Sequence, residues 1–178
     1  MSSEPPWHSV EIPYWPAERK RFLQWAPSRA LIRTLRDYET LGRGGLFAPV
    51  RRRFVVLRHR FWSVVTGADI PLGTRIGGGL KLPHPNGVVI HPAAVIGINC
   101  CIFQQVTLGK QPSGVPTIGA HVEIGAGAKI LGGVHIGNHA RIGANAVVIR
   151  DVPEGATAVG IPARNVMPAD REATAALS

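Results

Sequence analysis

Residues 118–153 read IGAHVE IGAGAK ILGGVH IGNHAR IGANAV VIRDVP. The spacing marks a period of six. Ile118, Ile124, Ile130, Ile136, Ile142 and Val148 open successive hexads, and the fifth residue of each is Val or Ala. Two further phases lie upstream: Ile90, Ile96, Ile102, Leu108, and before them Ile70, Ile76, Leu82. Steps of eight (82 to 90) and ten (108 to 118) separate the phases, so two and then four extra residues interrupt the repeat. Thirteen aliphatic starts in register do not fit an α-helix, whose stripe recurs near 3.6 residues and which tolerates little glycine. The period predicts a mainly β chain, a parallel β-helix with one short strand and one turn per hexad. Three hexads complete a coil, with the first residue inward and the small fifth residue in the corner. Gly follows the aliphatic residue in seven of the thirteen hexads, which gives the turns conformational freedom.

Outside this block the chemistry changes. Ten of the 11 aromatic residues lie at or before Trp62, and 18 of the 21 glycines at or after Gly67. Residues 1–68 carry 12 basic and 5 acidic side chains, against 8 and 6 in residues 69–178. The organisation expected is a Pro-rich arm and basic α-helical segment over 1–66, a β-helix over 67–165 and a flexible tail over 166–178. Residues 17–26 read as a short helix stopped by Pro27. Ser28 is placed to cap a helix running to about Leu41. Pro49 opens a third helix, with Val50, Phe54, Leu57 and Phe61 on one stripe. That stripe is expected to pack on its neighbours, leaving Arg51, Arg52, Arg53, Arg58 and Arg60 solvated. The alternative is a basic face that docks on anionic lipid or on an anionic substrate.

A formal charge of +9 favours acidic partners, but no nucleic-acid motif accompanies it, and nucleic acid is not expected. No apolar run reaches the length of a membrane span, and the first residues carry no secretory pattern. The expected compartment is the cytoplasm, with a peripheral position at the inner face of the membrane open to the basic helix. Cys100 and Cys101, the two cysteines, form neither a disulfide framework nor a ligand set. Cys100 is a fifth-position core residue.

Stacking equivalent positions three hexads apart gives a column from the third residues of the hexads at 82, 102, 124 and 142. It holds His84, Gln104, Ala126 and Ala144. Small side chains in such a column suit a groove for an extended ligand. The first insertion, near 83–89, surrounds His84, and the second, 109–117, is expected to project at an adjacent level.

The stretches GADIPLGTRIGGGLKLPHPNGVVIHPAAVIG (67–97), VTLGK (106–110), IGAGAKILGG (124–133) and VPEGATAVGIPAR (152–164) resemble the serine acetyltransferase-like branch of the hexapeptide-repeat acyltransferases. The resemblance implies a left-handed β-helix. It places His84 on the catalytic base and Asp69 on the carboxylate that orients it. Gly109, Ala126 and Ala144 fall on the acetyl-CoA groove, and Arg150 and Arg164 near the CoA phosphates. It implies acetyl-CoA as co-substrate, a homotrimer with sites between neighbouring β-helices, and no metal. Carbonic anhydrases of this fold bind zinc through three converging histidines. Here His135 and His139 fall at different hexad phases, and His121 lies one coil below His139.

The chemistry implied is O-acetylation, since a thioester donor needs a deprotonated hydroxyl, alignment and an oxyanion cradle. Backbone N–H groups near Gly109 are the candidate cradle. Serine-specific members carry an acidic residue before the base and an Arg-His pair in the long loop. Here those positions are Pro83, Gly114 and Val115. On that ground the expected acceptor is a sugar unit of a surface or exopolysaccharide, with L-serine the alternative and a non-catalytic β-helix scaffold the rival from another class.

Overall fold

A computed structural model describes residues 7–19, 24–41 and 48–167. The repeat forms a left-handed parallel β-helix. Its first face stacks Arg75–Ile76, Val95–Ile96, Thr117–Ile118 and His135–Ile136. Its second stacks Cys101–Ile102, Glu123–Ile124, Arg141–Ile142 and Thr157–Gly160. Its third stacks Val89–Ile90, Thr107–Gly109, Lys129–Leu131 and Val147–Val148. Single bridges from Asp69 to Val89, Lys81 to Cys101 and Ile136 to Val152 complete the coils at either end.

The periodicity explains the packing. The hexad starts from Ile70 to Val148 are all buried, and so are the fifth-position residues Ala94, Cys100, Val106, Val122, Ala128, Val134, Ala140 and Ala146. Inward side chains meet their equivalents in neighbouring coils, as in the register Ile102–Ile124–Ile142. The repeat shortens after Val148: the next inward residue is Val152, four positions on, paired with Ile136. At the first-to-second corner, glycines let the coils approach. A Cβ on Gly97 would lie 2.5 Å from the Gly119 backbone, and one on Gly77 2.5 Å from Ile98 N.

The ends of the stack are closed by other elements. Helix α1 (Pro27–Thr40) buries Leu31, Ile32 and Leu35 in the same core as Ile70 and Leu80. Its Arg36 donates to the carbonyls of Ile76 (2.6 Å) and Gly77 (2.7 Å) and pairs with Glu18 at 2.8 Å. Glu18 also accepts the Leu80 N–H at 3.0 Å. Backbone groups of the first coil, which have no coil below, thus gain partners. At the other end Ala163–Val166 adds one antiparallel strand to Thr157–Gly160. The arm is strapped to the first-to-second corner by Asn99, which is buried. Its Oδ1 accepts the Tyr14 N–H at 2.7 Å, and its Nδ2 donates to the carbonyls of Ser9 and Ile12.

Three local expectations are corrected. Within 17–26, the described residues form only the end of a 3-10 turn, Trp15–Ala17, and irregular chain; residues 20–23 lie outside the described residues. Ser28 does not cap α1: the helix starts at Pro27, with Ala26 before it and no side-chain cap. A proline in the first turn needs none of the hydrogen bonds it cannot make. Helix α2 (Ala48–Thr66) turns Val55, His59 and Thr66 to the protein, while Val50, Phe54, Leu57 and Phe61 face solvent. The Thr34 hydroxyl donates to the Leu31 carbonyl (2.6 Å) and so accepts from His59 Nδ1 (2.8 Å), which joins the two helices. Helical spacing identifies a stripe, but it does not say which of two apolar stripes meets the core. The expected tail lies outside the described residues from 168 onward.

Candidate active site

The second-to-third corner turns through Gln105, Gly127 and Asn145, all with positive φ. The Gly127 N–H donates to Gln104 O and the Asn145 N–H to Ala126 O, both at 2.8 Å. Gln104, Ala126 and Ala144 therefore stack one coil apart. Below them, the Gln105 N–H donates to Asn86 O at 2.9 Å. Asn86, not His84, holds the first level of the column. The hexad opened by Leu82 carries two extra residues, and the chain regains register only at Ile90. Counting back four from Ile90, as Gln104 stands four before Leu108, gives Asn86. His84 is displaced into the exposed bulge Pro83-His84-Pro85. Gln104 Oε1 is buried at this corner without a hydrogen-bond partner among the described residues.

Asp69 lies on the third face of the first coil, exposed and bridged to Val89 above it. The Gly87 N–H donates to Gly67 O at 2.8 Å, so the segment bearing Asp69 runs alongside the segment that follows His84. No hydrogen bond joins the Asp69 and His84 side chains within this chain. The Asp69 charge reaches His59, whose imidazole is pushed down by burial, partly offset by the Ile70 carbonyl and by Asp69.

Gly109 ends the strand Thr107–Gly109, and its carbonyl accepts the Gly132 N–H at 3.0 Å. Between Gly109 and the alanine column stands Lys129, whose ammonium donates to Gln105 O at 2.5 Å. Nothing in the sequence marks Lys129, which occupies an ordinary sixth position of its hexad. Arg150 and Arg164 are both exposed in the last coil. Arg150 leaves the third face, while Arg164 pairs with Val159 on the second. The second insertion does not project freely. Gln111 and Gly114 exchange backbone hydrogen bonds of 2.9 Å, and the turn lies on Gly132 and Gly133. A Cβ on Gly133 would collide with the Ser113 carbonyl.

A cavity of about 340 Å³ adjoins the histidine bulge, lined by Ser28, Arg29 and Ile32 of α1 and by Lys81, Leu82 and Pro83. Arg29 donates to Arg19 O at 2.8 Å, and the Lys81 ammonium lies 3.2 Å from the Trp7 ring centroid. Nothing in the sequence links Arg29 to Pro83, 54 residues apart; only the docking of α1 under the first coil does. His121 and His139 stack at another corner, with Nδ1 atoms 2.9 Å apart. Among the described residues no three His, Cys, Asp or Glu side chains group so as to hold a metal. Both cysteines are buried, and burial raises their thiols to about 12 for Cys100 and about 11 for Cys101.

A coiled stack of hexads with a small-residue corner defines a transferase-type β-helix, and residues 116–150 match the family model described as bacterial transferase hexapeptide (six repeats). A serine acetyltransferase of Helicobacter pylori (strain J99) is 45% identical over 123 residues, 65% of this chain and 72% of that protein. One from Synechococcus elongatus is 49% identical over 105 residues, 57% of this chain and 43% of that protein. A serine acetyltransferase solved in complex with CoA superposes with a TM-score of 0.68 at 37% identity, covering 81% of this chain and 59% of that one. Soybean serine acetyltransferase complexed with serine gives 0.68 at 39% identity, covering 80% and 58%. The chain belongs to the serine acetyltransferase-like branch of the hexapeptide-repeat acyltransferases. It spans less than half the length of the first curated relatives it matches.

These similarities overturn the expectation of a polysaccharide sugar as acceptor. That expectation rested on the missing charges at Pro83, Gly114 and Val115. It counted only the position before the base and two in the long loop, whereas the fold brings Arg29 and Lys81 beside Pro83.

Proposed function

We propose that this protein transfers the acetyl group of acetyl-CoA to the hydroxyl of L-serine, giving O-acetylserine and CoA. The observation that carries the reading is the 45% identity to a serine acetyltransferase of which this chain covers 72%. His84 is the general base: its exposed bulge lets an imidazole nitrogen reach a bound hydroxyl and take its proton. Asp69 orients that imidazole and stabilises its protonated form. Catalytic hydrogen bonds commonly tighten as the substrate complex forms. The serine oxygen attacks the thioester carbonyl, and its proton passes to His84. The tetrahedral oxyanion is held by backbone N–H groups near Gly109. Collapse expels the CoA thiolate, which takes the proton back from His84.

The donor lies along Ala126 and Ala144, whose methyl side chains leave room for an extended chain. Lys129 borders that strip, and Arg150 and Arg164 serve the CoA phosphates. Arg29 and Lys81 supply positive charge for the serine carboxylate, since an unpaired carboxylate in a partly desolvated site costs on the order of a few kcal/mol. Sites between neighbouring β-helices require a homotrimer, and no metal takes part.

The test is thiol release from acetyl-CoA with L-serine as acceptor. A kcat/KM of about 10⁴ M⁻¹s⁻¹ or more is expected. Absence of serine-dependent release at saturating acetyl-CoA overturns the reading.

A further inference from the structure

Helix α2 is apolar on two sides, and one of them is exposed. Val55, His59 and Thr66 are buried against the protein. Val50, Phe54, Leu57, Phe61 and Val64 are 56–83% exposed. At 100° per residue these five fall within a sector of roughly 80° on a helix about 28 Å long. Such a continuous strip exceeds the scattered apolar residues of an ordinary surface.

The charges border the strip. Arg53 and Arg60 follow one edge, and Arg51 and Arg58 the other. Arg58 is committed to Asp37 and Arg52 to the Tyr38 hydroxyl at 2.7 Å. Arg51, Arg53 and Arg60 are exposed and make no ion pair among the described residues. Arg53 and Arg60 share with Leu57 the wall of a groove of about 500 Å³. Residues 48–66 contain no Asp or Glu.

We infer that this face of α2 docks on an anionic lipid bilayer. Each feature answers one part of such a surface. Phenylalanine, leucine and valine enter the boundary between headgroups and acyl chains. Arginines on both edges extend outward to lipid phosphates while their stems stay in the apolar layer. A second copy of the same face would bring the exposed Arg51, Arg53 and Arg60 toward their own copies, and helix α2 supplies no carboxylate to offset them. A nucleic acid would use the arginines and leave the strip in water. No helix among the described residues is long and apolar enough to cross the bilayer. The contact is peripheral and independent of the acetyl-transfer reading.

The experiment is sedimentation of the full chain with phosphatidylcholine vesicles and with vesicles containing about 30% phosphatidylglycerol. The protein is expected to bind the second and not the first, and binding is expected to fall in about 0.5 M salt. Leu57→Asp with Phe61→Asp, and separately Arg53→Glu with Arg60→Glu, are each expected to weaken binding about tenfold or more. Both pairs lie on the exposed side, so circular dichroism and thiol release in solution should match wild type. Failure to bind phosphatidylglycerol vesicles overturns the inference, as does equal binding by both variants. A fall in molar mass by light scattering in the Leu57/Phe61 variant, without wild-type vesicle binding, assigns the face to a second copy and overturns it too.

Discussion

A histidine two places out of register is the feature on which the acetyl-transfer reading turns. His84 sits in the two-residue excess between Leu82 and Ile90, and Asn86 takes the level it would have held. His84→Ala is expected to lower turnover about 10²- to 10⁴-fold with the thermal midpoint unchanged, because the side chain is exposed and makes no hydrogen bond among the described residues. Wild-type turnover would remove it from the mechanism. Ala126 and Ala144 are a different test, of the donor. Ala144→Trp puts a large side chain on an exposed corner, so calorimetric titration should show acetyl-CoA binding weakened about tenfold or more and folding preserved. Unchanged affinity would take the column out of the donor site. The sequence made this column legible because period six fixes which residues stack. It did not make Arg29 legible, because a cation on a helix carries no mark of the loop that helix will lie beside.

Elements here are held by few, specific polar contacts. The arm hangs on Asn99, whose side chain makes three hydrogen bonds to backbone groups of residues 9–14. Asn99→Ala leaves those groups unpaired and should cost about 1–3 kcal/mol, read as a lower midpoint in urea and faster hydrogen exchange across the arm. An unaltered exchange pattern would show that Trp7 and Trp15 hold the arm without it. The loop over the fourth coil depends instead on the absence of side chains. Gly133→Val drives a branched side chain into the Ser113 carbonyl, and the expected cost is about 1–3 kcal/mol. The ILGG tetrad at 130–133 is visible in the sequence, but its reason is not, since the partner is 20 residues upstream in a turn whose path only the fold sets.

Across the whole molecule, stability is expected to depend on pH through two imidazoles, the buried His59 and the half-buried His121. His59 and His121 are both pushed below the usual 6.5, first by burial and, for His121, next by the neighbouring His139. Above pH 6.5 these groups are neutral folded and unfolded, and their contribution is complete. As pH falls below that value the unfolded chain takes up protons first, so the folded state loses stability. Thermal midpoints should therefore fall between about pH 7 and pH 5, with a shallower slope in His59→Gln. An identical slope in that variant would exclude His59 as a contributor. Assembly is the other property at this scale. Sites built between neighbouring β-helices predict a trimer by light scattering, and a monomer that retains full turnover would contradict shared sites.

The hexad repeat by itself determined the coil, the inward residues and the stacking of Gln104, Ala126 and Ala144, because each depends on local spacing that repeats identically from coil to coil. Where the period broke, the sequence showed that residues were added but not where they went. The first insertion moved His84 outward, and the second folded flat on Gly132 and Gly133. In the non-repeating N-terminal segment two of the three expected helices were legible, but not their faces. Two apolar stripes on α2 look alike in one dimension, and only packing against α1 decided that Val55 and His59 turn inward. Tertiary contact also decided that Arg36 and Glu18 close the bottom coil and that Arg29 meets Pro83. These pairings join residues 40 or more apart in sequence with no common period, and proximity of that kind is created by folding rather than encoded in spacing.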